Sequence, residues 1–293
     1  MISRPWYTSP VIQVASGTRH GEPLFRRMAR LAERRLWLSG PIAELRKARY
    51  ERHFESARGN VKMFRGIYDS YDAAAASAPA SLPIGWDNVA SAHRLEHERL
   101  RIFTSDYPTL FWLSRLLPDN QFVFDLHGNV GTAYFAFRRL LPFPTNLTWL
   151  VSDVAAIVAH GRELAQDEDA PGLRFTGELD ELPRADILLI KGAVQFLHDP
   201  IDFLKRAGRL PRHVLINKVP LYDRDPAVTL QANGVAFCPY HLLNRTRFIA
   251  TFEDQGYRRV DSWLNYDLNC YIPFYPEYTI PTYSGFYFTR EMR

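Results

Sequence analysis

From Phe122 onward the chain alternates between short runs of bulky apolar residues and longer stretches with apolar positions at helical spacing. Phe122, Val123 and Phe124 read as a buried strand that passes Asp125, enters a turn at His127-Gly128-Asn129-Val130-Gly131, and continues into the apolar helical run Ala133 to Leu141. The unit then repeats. Leu147 to Ser152 predicts a second strand ending at Asp153, with a helix over Ala155 to Gln166. Leu173 to Thr176 gives a weak third strand, Ala185 to Ile190 a clear fourth, and His213 to Asn217 a fifth. A helix from Asn244 to Gln255, a strand from Tyr257 to Leu264 and a last strand from Ser284 to Thr289 close the pattern. This is an α/β, Rossmann-like arrangement: a mostly parallel sheet whose ending in helix, strand, strand implies an antiparallel last strand.

The chain ahead of this pattern is predominantly helical. Leu24, Met28, Leu31, Leu36 and Trp37 interleave with arginines at amphipathic spacing, and Gly40-Pro41 ends that helix and starts another, which runs to about Ser56 with Ile42, Leu45 and Ala48 on one side. Residues 1–58 therefore read as a helical arm. Residues 59–121 form a helical lid or connector, and 122–293 the Rossmann-like domain. Within the connector, Phe64 to Ala74 reads as a turn leading into a short helix capped by Asp69 or Ser70, and Ala73 to Pro83 as a loop or helix end. Helices follow at Val89 to Arg101 and Pro108 to Leu117.

Charge changes the picture of the arm alone. The chain carries net +4, but residues 1–60 hold twelve Lys/Arg against five Asp/Glu, leaving the remainder net negative. Such a surplus suits either an anionic partner or a solvated helix face, and the arm can also pair with a second copy or a partner subunit. A chain of 293 residues, 46% hydrophobic, can bury a sizeable core. No apolar run approaches a membrane span or a signal peptide, and two cysteines, Cys238 and Cys270, agree with a reducing compartment, so the cytoplasm is expected.

Candidate chemistry gathers at the carboxyl edge of the strands. A glycine-containing turn from first strand to helix exposes backbone N–H groups to a nucleotide-like cofactor. Dinucleotide turns read G-x-G-x-x-G, whereas S-adenosylmethionine (SAM) turns read acidic-x-G-x-G-x-G. Here Asp125 holds the acidic place, and His127, Asn129 and Gly131 the three glycine places, with Gly128 between. Asn tolerates left-handed backbone; an imidazole at position 127 either grips a ligand, takes part in catalysis, or obstructs the pocket. Asp153 can accept both ribose hydroxyls of an adenosine, or merely cap its helix. Lys191, Gly192, Gln195 and His198 fall at the end of the fourth strand, His198 with a competing role in a helix cap. Lys218 and Tyr222 reach the same edge, and a long loop containing Gln231 to Gly234 and Cys238 to His241 follows, as expected of a substrate-holding segment. His127, Tyr222 and His241 are the candidate proton-transfer groups. No His/Asp/Glu set has metal-ligand spacing along the chain, so no metal is expected. The aromatic and amide groups with which nucleic-acid methylases grip a base are missing after the fourth strand.

From Phe64 to the C-terminus the chain resembles a family of SAM-dependent methyltransferases, largely uncharacterised and often encoded near bacterial surface-polysaccharide or secondary biosynthetic genes. The resemblance rests on Phe64-x-Gly-x-Tyr68 with Asp72-Ala-Ala, Gly131-x-x-Tyr-Phe135, Trp149-x-Val-x-Asp153, Gly161-Arg-Glu-Leu, Gly192-Ala-Val-Gln-Phe-Leu, Lys218-Val-Pro220, Gln231, Pro239-Tyr240 and Gly256-Tyr257. Departures fall at His127-Gly-Asn129, where the family carries a glycine run, at Lys191, where a small residue is usual, and at Asp153, which replaces a Glu. The resemblance implies SAM as cofactor, held by Asp125, His127, Gly128, Asn129, Gly131, Asp153, Lys191 and Gly192. It implies a small biosynthetic acceptor near Tyr68, Gln195, Gln231 and Tyr240, methylated on oxygen, nitrogen or carbon. A SAM-fold enzyme of other chemistry and a catalytically silent binding subunit are the alternatives.

Overall fold

The structure, a computed structural model, describes residues 41–59 and 61–291. The amphipathic helix expected around Leu24 to Trp37 lies outside these residues. The chain divides into two units, Met1–Arg49 and Tyr50–Arg293. The described part of the first belongs to helix α1 (Pro41–Glu55), where Leu45 and Ala48 are exposed.

In the second unit, seven strands form one sheet. They are β2 (Phe122–Leu126), β3 (Thr148–Ser152), β4 (Leu173–Thr176), β5 (Ile187–Lys191), β6 (His213–Val219), β10 (Arg258–Asn265) and β11 (Tyr283–Thr289). Their order is β10-β11-β6-β5-β2-β3-β4. The pairs from β4 to β6 are parallel, and β11 is antiparallel to both β6 and β10. The Rossmann-like sheet with its antiparallel last strand is thus present. The order reverses beside β2, whose neighbours β3 and β5 lie on opposite sides of it.

Period-two alternation explains why both faces are covered. Val123, Trp149, Val151, Ile187, Leu189 and Leu215 enter one core, with helices α3 (Val89–Glu98), α4 (Tyr107–Leu116), α5 (Thr132–Phe137) and α6 (Ala155–Asp167). Their sequence neighbours Phe124, Leu150, Leu188, Ile190, Val214 and Ile216 enter the other, with α7 (Asp202–Ala207) and α8 (Arg245–Glu253). The central strands β2, β3, β5 and β6 are largely apolar because both of their faces are covered, whereas the edge strands β4 and β10 expose polar residues. Burying one such side chain contributes roughly 1.5–3 kcal/mol before entropy is counted.

Two expectations are corrected. Phe64 to Tyr68 is not a turn but the body of strand β1 (Met63–Tyr68); the short helix after it, α2 (Tyr71–Ala76), is capped by Ser70, whose hydroxyl accepts from Ala73 N. The long loop after the fifth strand is instead β7 (Leu221–Tyr222), β8 (Ala227–Ala232) and β9 (Phe237–Asn244). Together these strands make a second sheet, β1-β8-β9-β7. One of its faces packs Phe64, Tyr240 and Leu242 against Cys270, Ile272, Ile280 and Tyr283, and the other packs Leu230, Ala232 and Phe237 against Phe54 and Ala57. The small sheet docks at the carboxyl edge of the large one: Tyr240 meets Phe196, in the turn after β5, edge to face at 5.0 Å. Among the described residues no helix is long and apolar enough to cross a membrane.

Candidate functional site

The turn after β2 adopts the backbone of a glycine loop without being made of glycines. His127 (φ 50°), Asn129 (φ 59°) and Gly131 (φ 84°) all occupy the left-handed region, so the three glycine places of the pattern keep their conformation. A left-handed L-residue costs roughly 1–2 kcal/mol, least for Asn, and surrounding contacts must hold it. Asp153 supplies several of them. Its Oδ2 accepts from Asn129 N at 2.9 Å, its Oδ1 accepts from Val154 N at 2.8 Å, and His127 Nδ1 lies 3.3 Å from the same Oδ1. Val154 is the residue that leads into α6. Asp153 does not cap α6, whose N-cap is Val154 without a side-chain cap bond; its carboxylate instead ties the backbone leading into that helix to the turn.

Gly128 has an ordinary φ; its requirement is space. A Cβ there would collide with the carboxylate of Asp125, which lies fully buried beneath the turn. Asp125 Oδ2 accepts from Trp149 Nε1 at 3.0 Å, while Oδ1 has no hydrogen-bond partner. Burial, only partly opposed by the Trp149 bond and by Lys191, pushes its pKa up to about 7. His127 moves the other way from a buried imidazole. Burial opposes its charge, but the bond to Asp153 and the charges of Asp153 and Asp125 outweigh that and raise its pKa. Its side chain remains 33% exposed. The turn thus holds an imidazole whose charged form Asp153 favours, above the buried acid Asp125.

Lys191 and Gly192 stand beside a second buried carboxylate. Asp106, the last residue of the 3-10 turn that runs directly into α4, is fully buried and accepts from Phe103 N at 3.0 Å. Lys218 Nζ is 2.8 Å and Lys191 Nζ 3.6 Å from its Oδ1. Although burial disfavours its charge, the ammonium charges of Lys191 and Lys218, with hydrogen bonds from Lys218 and Phe103 N, hold Asp106 below the usual carboxylate range. Lys218, desolvated and repelled by Lys191, is pulled down to about 8 despite Asp106. One carboxylate gains from two cations, while the cations must share one carboxylate. Gly192 (φ 74°) leads to Gln195, which is buried with Oε1 unpartnered.

No family model matches the chain, and no curated protein matches it. Solved structures do. The 1,6-didemethyltoxoflavin-N1-methyltransferase of Burkholderia thailandensis, with bound 1,6-didemethyltoxoflavin and S-adenosylhomocysteine, is 19% identical over 70% of this chain and 85% of its own, at a TM-score of 0.48. The glycopeptide N-methyltransferase MtfA, complexed with SAM, is 10% identical over 64% and 94%, at 0.44. The CcbJ methyltransferase of Streptomyces caelestis is 12% identical over 64% and 90%, at 0.42.

The remaining candidates separate into distinct neighbourhoods. His241 stacks on Tyr71 at 5.7 Å, with Nε2 3.3 Å from His198 O, and burial lowers its pKa. His198 itself pairs with Asp72 at 3.1 Å, and Asp199, not His198, accepts from Ile201 N at the start of α7. Tyr222 donates to Asp225 O, and its hydroxyl is pushed up to about 12, chiefly by burial. Tyr240 shares a buried 2.6 Å hydrogen bond with Tyr283. Tyr68 and Gln231 belong to β1 and β8, paired strands of the small sheet: Tyr68 lies opposite Val228 and Gln231 opposite Phe64. Three residues join the site without having been assigned a role: Trp149 and Lys218, which the sequence offers as pieces of the resembling motifs, and Asp106, whose sequence signal is that of a helix start.

Proposed function

We propose that this protein is a SAM-dependent methyltransferase acting on a small molecule, with O-, N- or C-methylation left open. The observation that carries the reading is the turn from His127 to Gly131, left-handed at all three glycine places, resting on Asp125 and tied to Asp153 where β2 and β3 part. The residues fit the cofactor: the turn keeps the left-handed backbone of a glycine loop, and Asp125 Oδ1 and Gln195 Oε1 are buried without hydrogen-bond partners. A carboxylate offers about four lone pairs, so Asp153, with three of them directed at the turn, Val154 N and His127, keeps capacity for a ribose hydroxyl. The names of the similar solved structures agree with this chemistry.

SAM supplies an already activated methyl group, so the protein has to align, shield and manage a proton. Asp153 and the turn backbone orient the adenosine. His127, its charged form favoured by Asp153, is suited to donate a hydrogen bond rather than to accept a proton. Tyr222 keeps its proton at any ordinary pH. His241, held neutral, is the candidate that can accept a proton from the acceptor, and it lies on β9 of the sheet docked at this edge.

Calorimetric titration with SAM and with S-adenosylhomocysteine tests the reading. Micromolar binding by the native protein, abolished in Asp153→Ala, is expected. Binding by His127→Gly alone would mean that the imidazole obstructs the pocket and would favour a silent subunit. The reading is overturned if neither the native protein nor His127→Gly binds either ligand.

A further inference from the structure

We infer a divalent transition-metal site, fit for Zn2+, between α3 and α6, made by His93, Glu96 and His160 with Glu163 behind them. The sequence shows no metal-ligand spacing because the set is completed only when residues 64 positions apart meet. Along each helix the pattern is the same: His93-x-x-Glu96 on α3 and His160-x-x-Glu163 on α6, a histidine and a glutamate one turn apart on one face.

The donor atoms converge. His160 Nε2 lies 2.9 Å and His93 Nδ1 3.8 Å from the same oxygen, Glu96 Oε2, and all three ligand atoms fall within 4.8 Å of one another. A tetrahedral ion with ligand bonds of about 2.0–2.1 Å holds its donors about 3.3 Å apart. Rotamer adjustments of well under a helical turn therefore bring the three onto one ion. The imidazole rings already meet edge to face at 4.6 Å, which two protonated rings would resist. Two imidazole nitrogens and one carboxylate oxygen are a borderline donor set that suits Zn2+ better than Mg2+ or Ca2+. His93, 59% exposed, leaves the fourth position to water.

The surroundings are those of a built site. His160 Nδ1, the nitrogen left over after ligation, is 3.7 Å from Glu163 Oε2, within reach of the carboxylate–histidine hydrogen bond that would fix a ligand's tautomer. Glu96 Oε1, the other oxygen of the bridging carboxylate, lies 3.8 Å from Arg99 Nη1. The two helices are held together independently: Asp87, just before α3, accepts from Ala156 N in the first turn of α6 at 2.8 Å. The ion would clip α3, in the helical connector, to α6, the helix that Asp153 leads into. This inference does not depend on methyl transfer.

The test uses chelator-treated full-length protein titrated with Zn2+ alone by calorimetry, with Co2+ by visible absorption, and with thermal unfolding in parallel. One Zn2+ per chain, an intense tetrahedral Co2+ band and a Tm raised by Zn2+ are expected. His160→Gln should weaken Zn2+ binding more than about 100-fold, and Glu163→Gln, which touches only the outer shell, about tenfold. His93→Ala changes an exposed side chain that folding does not need, so its loss of affinity is read on an intact protein. The chain has nine histidines, and adventitious binding at others is the competing outcome. The inference is overturned if the native protein and a His93→Ala/His160→Gln double variant with unchanged metal-free circular dichroism bind Zn2+ alike. It is equally overturned if neither ion binds the native protein.

Discussion

Asp125 and Asp106 are both fully buried carboxylates at the carboxyl edge of the large sheet, yet their pKa values move in opposite directions. Asp125 accepts from an indole N–H and feels Lys191 without an ion pair to it; Asp106 has Lys218 and Lys191 at 2.8 and 3.6 Å. Burial is common to the two, so the cations decide the outcome. A buried acid with a neutral donor drifts toward its protonated form, whereas one between two ammonium groups is held toward its charged form. Asp106 is thereby part of the scaffold. Asp125 retains an oxygen and a titratable proton for whatever occupies the turn.

The largest way to break this comparison is Asp106→Ala, which leaves two ammonium groups buried without a counter-charge. Breaking such a set by removing one partner costs about 3–5 kcal/mol, and urea unfolding at neutral pH should read a loss of that order. Next is the pH dependence set by Asp125. Its pKa is raised from 3.8 to about 7 in the folded chain, so the folded state binds the extra proton between those values. The stability that proton contributes is complete below about pH 4 and is lost as pH rises toward 7, by at most ~4 kcal/mol. Asp125→Asn, which cannot ionise, should flatten the stability profile over that window; an unchanged profile would mean that Asp125 is charged at pH 5. The smallest effect is expected from Gly128→Ala. Its methyl would press on the Asp125 carboxylate, for about 1–3 kcal/mol of lost stability and a lower Tm, while the Asp106 neighbourhood stays unaltered.

The same comparison marks how far the sequence could be read. Asp125 was legible because it closes a strand of the large sheet and opens a turn, both local signals. Asp153 was legible for the same reason, at the end of the next strand. Asp106 was not, since its partners Lys191 and Lys218 are 85 and 112 residues away and its local pattern is that of a helix start. The central strands of the large sheet are legible as apolar runs, which follows from burial on both faces; the edge strands β4 and β10 are partly exposed and carry polar residues. The strands of the small sheet are not so legible: Gln231-Ala-Asn-Gly and Cys-Pro-Tyr-His carry turn residues, and Pro239 inside β9 argues against a strand until β8 is seen pairing beside it. The metal-ligand pattern failed to register for a related reason. Each helix carries half of it.

The placement of β11 has a consequence for how the chain is made. Tyr283–Thr289 is synthesised after β10 yet lies inside it, between β10 and β6. While the ribosome is still translating the segment beyond Asn265, β6 has no neighbour on that side, and β10 has no place in the large sheet. A nascent chain arrested there would present an open strand edge, a template for pairing with other chains, and its closure would await the emergence of a single seven-residue segment.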